Sequence, residues 1–123
     1  METTKHAVLW IDHHQANLLM IGPEPTPSRH LTAHRHATAQ HGSAVRTEHE
    51  FFAEVCAALA GIEAVLVTGS KTALADFRHY VEKHRPQTRG SIAGYEAIDH
   101  QTDRQLAALA RRFFDLRSGL AAH

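Results

Sequence analysis

The chain has almost no cysteine, few aromatic residues and no surplus of charge of either sign. One cysteine, Cys56, excludes an internal disulfide. Lysine plus arginine equals aspartate plus glutamate at thirteen each, so no overall field draws the chain to nucleic acid or to an anionic membrane, and any such contact has to come from a local patch. No apolar run reaches the length of a signal peptide or a membrane span. These absences predict a soluble cytoplasmic protein without a membrane partner. Internal repeats and low-complexity tracts are missing too, and 123 residues supply one core and not two, so residues 1–123 are expected to form a single domain.

What the chain has in quantity is histidine, twelve residues spread along its length. Free imidazole titrates near a pH of about 6.5, so mild acidification should turn the chain positive and make its affinity for an anionic partner depend on pH.

The most informative stretch is Ala64 to His84. Its apolar run, Ala64 to Val67, breaks at Thr68-Gly69-Ser70-Lys71 and continues with Leu74, Phe77 and Val81 at helical spacing. This predicts strand, tight turn and helix. The strand shows no polar alternation, which is the pattern of a central strand covered on both faces. The turn sets backbone N–H groups, Ser70 and the Lys71 cation at a helix N-terminus, where an anion could sit. With a single glycine it is not a P-loop, and most such turns only join a strand to a helix.

Taken in order, Ala7 to Ile11 and Asn17 to Ile21 predict two antiparallel strands around the turn Asp12 to Ala16. The segment from Gly22 to Ser28 holds three of the four prolines and predicts an exposed loop. His30 to His36 alternates without an apolar face, which suits an edge strand. Ala37 to Arg46 reads as a loop, and Thr47-Glu48-His49-Glu50 as a capping box opening a helix that buries Phe52, Val55, Cys56 and Leu59 before Gly61. After the second helix stops ahead of Pro86, Ser91 to Ile98 predicts a strand with Ile92 and Ile98 facing one way and Ala93, Tyr95 and Ala97 the other. A second capping box, Thr102-Asp103-Arg104-Gln105, opens a last helix burying Leu106, Leu109, Ala110 and Phe113, with residues 117–123 fraying. Phe114 is then either rim or a partner contact. The fold class is α/β, a mixed five-stranded sheet ordered 3-2-1-4-5 with three helices, through right-handed crossovers. The arrangement is similar to the ribonuclease-H-like one.

In such a sheet a site is expected beyond the carboxyl ends of the parallel strands. Three polar clusters fall there: Asp12-His13-His14, Thr68-Gly69-Ser70-Lys71, and Asp99-His100-Gln101-Thr102-Asp103. Asp12 and Asp99, with Glu54 or Asp103, could make a metal-dependent nuclease, although Asp103 is explained as well by the helix dipole. His34 and His36, with His30, His41 or His49, could hold zinc or another divalent metal, yet no metal-ligand spacing fixes a geometry and exposed histidines are the plainer account. Ser70, His100 and Asp12 lack the nucleophile elbow of a hydrolase. Cys56 on an apolar helical face is a packing thiol, and Trp10 is core. Arg78, Lys83, His84, Arg85 and Arg89 form a basic run that is by default a solvated face and otherwise an RNA footprint.

Several of these segments form a recognisable set: Ala7 to His13, Phe51 to Val55, Val67 to Thr72 with Phe77, and Asp99 to Gln105. Together they resemble the small bacterial translational machinery proteins, which are related to the middle domain of archaeal and eukaryotic class-one release factors and of Pelota. The resemblance runs from about residue 6 to residue 115. It implies a ribonuclease-H-like fold without nuclease chemistry and a role around the ribosome in termination, rescue or hibernation. The Gly-Gly-Gln loop of the release factors is absent here, so peptidyl-tRNA hydrolysis by that route is not implied. What carries over is a binding surface at Asp12, His13, Gly69, Lys71, Asp99, His100, Thr102, Asp103 and Gln105.

The resulting expectation is a non-enzymatic factor whose partner is the ribosome or RNA and which needs no cofactor. Lys71 and the helix start behind Gly69 would hold a phosphate or carboxylate, and His13 and His100 would tighten that grip as pH falls. The alternatives are a metal-dependent hydrolase or histidine-rich metal-binding protein, and a small homodimer pairing through its third strand.

Overall fold

A computed structural model describes residues 4–22, 28–33 and 43–121. Its strands are β1 (Thr4–Ile11), β2 (Gln15–Ile21), β3 (Ser28–Thr32), β4 (Ile62–Gly69) and β5 (Ile92–Ala97). Its helices are α1 (Ser43–Ala58), α2 (Lys71–His84), α3 (Pro86–Arg89) and α4 (Asp103–Ala121). The strands form one mixed sheet in the order β3-β2-β1-β4-β5. β1 pairs antiparallel with β2 and parallel with β4, and β4 pairs parallel with β5. Both the expected strand order and the ribonuclease-H-like arrangement are present.

The apolar run of β1 is unbroken because helices cover both sides of the sheet. Ala7, Leu9 and Ile11 point into a core shared with Phe52 and Val55 of α1 and Phe77 and Val81 of α2. Val8 and Trp10 point into a second core with Leu106, Ala110 and Phe114 of α4. Thr68 is the one polar or charged residue buried among the described residues, and its hydroxyl donates to the carbonyl of Leu9 at 2.9 Å. That bond removes the cost of an unpaired polar group between the paired strands β1 and β4.

Several boundaries depart from the sequence reading. β3 starts at Ser28 and not at His30, while His34, His36 and His41 lie outside the described residues. α1 begins at Ser43, four residues before the expected cap at Thr47, because Ala44-Val45-Arg46 contains no helix breaker and a Thr-x-x-Glu pattern can sit inside a helix. Its far end matches expectation, with Gly61 in a left-handed conformation at φ +85°. Pro86 opens the short helix α3, where only a break was expected. α4 continues to Ala121 in place of fraying from residue 117.

Facing differs from the sequence expectation at two places. The β4–β5 pairing shifts register between Val65, which pairs with Ile92, and Leu66, which pairs with Gly94. One extra residue reverses the side on which later residues face, so Ile92 and Tyr95 pack toward α1 and α2 while Ala93 and Ile98 pack toward α4. In α4 the buried set is Leu106, Ala107, Ala110 and Phe114, with Leu109 and Phe113 only partly covered. Phe114, expected either at the rim or as a partner contact, is a core residue stacked on the His6 ring at 4.0 Å.

Candidate functional site at the carboxyl end of the sheet

The parallel strands β1, β4 and β5 end together, and the three polar clusters follow them directly. The sheet then divides them. At its centre Gly69, Ser70, Lys71, Ala97, Ile98 and Asp99 line a shallow groove. Ser70 caps α2 from an extended conformation, its Oγ accepting from the N–H of Ala73 at 3.3 Å while its carbonyl accepts from that of Leu74. The N–H groups of Lys71 and Thr72 have no intrahelical partner to find. Lys71 is exposed and lines the same groove.

Gly69 has a structural duty in this groove. Its φ is +151°, and a Cβ on it would lie 2.0 Å from the Ile11 carbonyl oxygen. The residue lets β4 run against β1 to the very end of both strands, which brings Lys71 up to the rim.

Asp12 and His13 lead away from the groove. One Asp12 carboxylate oxygen accepts from the backbone N–H groups of His14 and Gln15, both at 2.7 Å, and so fixes the turn between β1 and β2. The His13 ring reaches the α1–α2 side, where Nε2 lies 2.9 Å from Asp76 Oδ2. Glu48 of α1 joins them, and one donor atom from each of His13, Glu48 and Asp76 lies within 4.8 Å of the others. Glu48 and Asp76 were not singled out in the sequence, because the two helices that carry them share no local spacing. Among the described residues no third histidine, cysteine or carboxylate gathers with Asp12 and Asp99, and Asp12 is committed to its turn.

On the α4 side the His100 ring meets Trp10 edge-on, with centroids 4.6 Å apart. His13 and His100 therefore serve opposite faces of the sheet and do not close on one ligand. Thr102 and Gln105 form the expected capping box: the Thr102 N–H donates to Gln105 Oε1 at 3.0 Å, and the Gln105 N–H donates to Thr102 Oγ1 at 3.1 Å. Asp103 accepts from the Asn17 side-chain amide, which ties α4 to β2. Of the nine residues singled out for binding, Lys71, Asp99 and His100 are exposed at the rim beside Gly69, Asp12, Thr102 and Gln105 hold a turn and a cap, and His13 and Asp103 reach partners on other elements.

The basic run at the end of α2 is partly neutralised. Arg78 pairs with Glu82 at 3.2 Å and lies over the Tyr95 ring, and Arg85 lies over Tyr80. Burial pushes the Cys56 thiol up from its ordinary pKa, against hydrogen bonding from Thr88 and the charge of Arg85, consistent with a packing thiol.

No protein-family profile matches the chain, and no curated protein sequence does. Solved structures match in fold. The crystal structure of an archaeal translation termination factor, aRF1, gives a TM-score of 0.59 at 13% identity over 96% of this chain and 40% of that one. Pelota from Archaeoglobus fulgidus gives 0.59 at 17% identity over 90% of this chain and 32% of its own. Pelota from Thermoplasma acidophilum gives 0.57 at 17% identity over 85% and 30% respectively. This chain spans less than half the length of each.

Proposed function

We propose that this chain is a non-enzymatic factor of translation that binds the ribosome or RNA through the rim beyond β1, β4 and β5. One observation carries the reading: most of the chain shares its fold with a translation termination factor and with two Pelota proteins. The sequence resemblance to the small bacterial translational machinery proteins points the same way, toward termination, rescue or hibernation. Without a Gly-Gly-Gln tripeptide the role is one of binding.

The groove supports an RNA ligand by its mixed polarity. Lys71 and the N–H groups at the start of α2 suit a phosphate, while the Asp99 carboxylate across the groove suits a base amino group or a ribose 2′-hydroxyl, the group by which proteins tell RNA from DNA. The His100 edge extends the same rim. The outer edge of β3 is where a second copy would pair, and light scattering on the eluting protein measures that directly.

Sedimentation of the untagged protein with purified bacterial ribosomes tests the reading. Co-sedimentation that persists in moderate salt and falls on Lys71→Ala supports it. Protein left in the supernatant at both low and moderate salt removes the ribosome as a direct partner, and a parallel titration with single-stranded RNA then separates an RNA role from none.

A further inference from the structure

Apart from the rim, one cluster of side chains among the described residues has the composition of a ligand set. We propose that His13, Glu48 and Asp76 form a site for one divalent transition-metal ion of the zinc class. The three donors come from three separate segments: the β1–β2 turn, α1 and α2. Nothing local in the sequence requires them to meet, yet one donor atom of each lies within 4.8 Å of the other two. Ligands about 2.0–2.2 Å from a common zinc lie roughly 3.4 Å apart in a tetrahedron, so the three donors have only to draw in from their present separations to share one ion.

Donor chemistry selects the ion. Imidazole suits zinc and its neighbours and is a poor ligand for magnesium or calcium, and two carboxylates balance a divalent charge. Placement supports the same conclusion. The Asp12 carboxylate pins the turn that presents His13. His13 and Glu48 are half-buried while Asp76 is exposed, so the ion has a path in from solvent and keeps an open position for water, as three-ligand zinc sites do. The His13–Asp76 hydrogen bond at 2.9 Å holds two of the ligands close together.

Bound metal would join α1, α2 and the first turn at one corner of the fold. This goes beyond the binding role above and does not rest on it, since Lys71, Asp99 and His100 belong to a different surface.

The test is equilibrium binding of zinc to the full, untagged chain by competition with a chromophoric chelator, alongside Asp76→Asn, Glu48→Gln and His13→Gln. Other histidines will take up some zinc, so the informative quantity is the tightest equivalent. Each substitution is expected to weaken that equivalent at least about tenfold, in line with the losses seen when even outer-shell partners of a metal are removed. Unchanged tightest binding in all three variants overturns the proposal. Should a variant fail to fold, the imidazole nitrogen resonances of the wild-type chain decide: the His13 signal has to shift with the first equivalent of zinc, and a first equivalent that moves only other histidines refutes the site.

Discussion

A methyl group on Gly69 would lie 2.0 Å from the carbonyl oxygen of Ile11, its partner across the parallel strands. Gly69→Ala must therefore push β1 and β4 apart or twist the strand end, at a cost of about 1–3 kcal/mol of overpacking. Urea denaturation should show a lower midpoint with the slope unchanged. An unaltered midpoint would mean that the strand ends part freely. Because this glycine is explained by packing, loss of ribosome binding in the same variant would not by itself locate the partner.

Lys71→Ala separates stability from binding. The side chain is exposed, so the melting temperature should hold while ribosome or RNA binding weakens, more at low salt than at high salt because ions screen an exposed charge. Equal loss at both salt concentrations would speak against an electrostatic contact.

Phe114→Ala should cost about 3–5 kcal/mol, the range for emptying a buried phenylalanine site, and Phe113→Ala clearly less. The contrast follows from their environments: Phe114 is 5% exposed in the α4 core, whereas Phe113 is half-covered against Gly94 and Arg117. Equal losses in chemical denaturation would contradict the assignment of faces.

Removing the α4 cap by Thr102→Ala should cost about 0.5–2 kcal/mol. Adding Gln105→Ala should cost less than the sum of the separate changes, since the two side chains bond reciprocally. A strictly additive pair would show that they act independently.

The Tyr95 hydroxyl is pushed up to about 12, by burial first and with the charge of Arg78 opposing. Burial also raises Tyr80. The folded chain thus keeps a proton that the unfolded chain releases near a pH of about 10. Stability from this source is complete below that point and is lost as pH rises through about 12. Denaturation midpoints should fall across that window, and Tyr95→Phe should make the fall shallower. An identical alkaline slope in the variant would exclude Tyr95 as its cause.

Much of the fold was legible because β1 and β4 are covered on both faces and so carry unbroken apolar runs, and because Gly69, Pro86 and Thr102 punctuate the elements where backbone chemistry requires. Tertiary effects set the limits. A single bulge between β4 and β5 reversed the facing of Ile98, a consequence of register that alternation along one strand cannot reveal. Thr47 reads as a cap because a capping box is a local pattern, and the same Thr-x-x-Glu spacing fits inside a helix that already starts at Ser43. At the site, the convergence of three strand ends followed from topology, but their division between the two sheet faces did not. Glu48 and Asp76 became visible only once α1 and α2 were placed side by side.

The central position of β1 also bears on how the protein is made. Its antiparallel partner β2 follows at once, but His6 on the other edge pairs with Ala64, which leaves the ribosome much later. At about 5–20 residues per second, that edge of a strand whose residues 7–11 are an unbroken apolar run stays open for several seconds in every nascent chain. The interval is set by synthesis speed and not by the stability of the finished fold, so changes that slow elongation between β2 and β4 should promote misassembly while leaving the purified protein as stable as before.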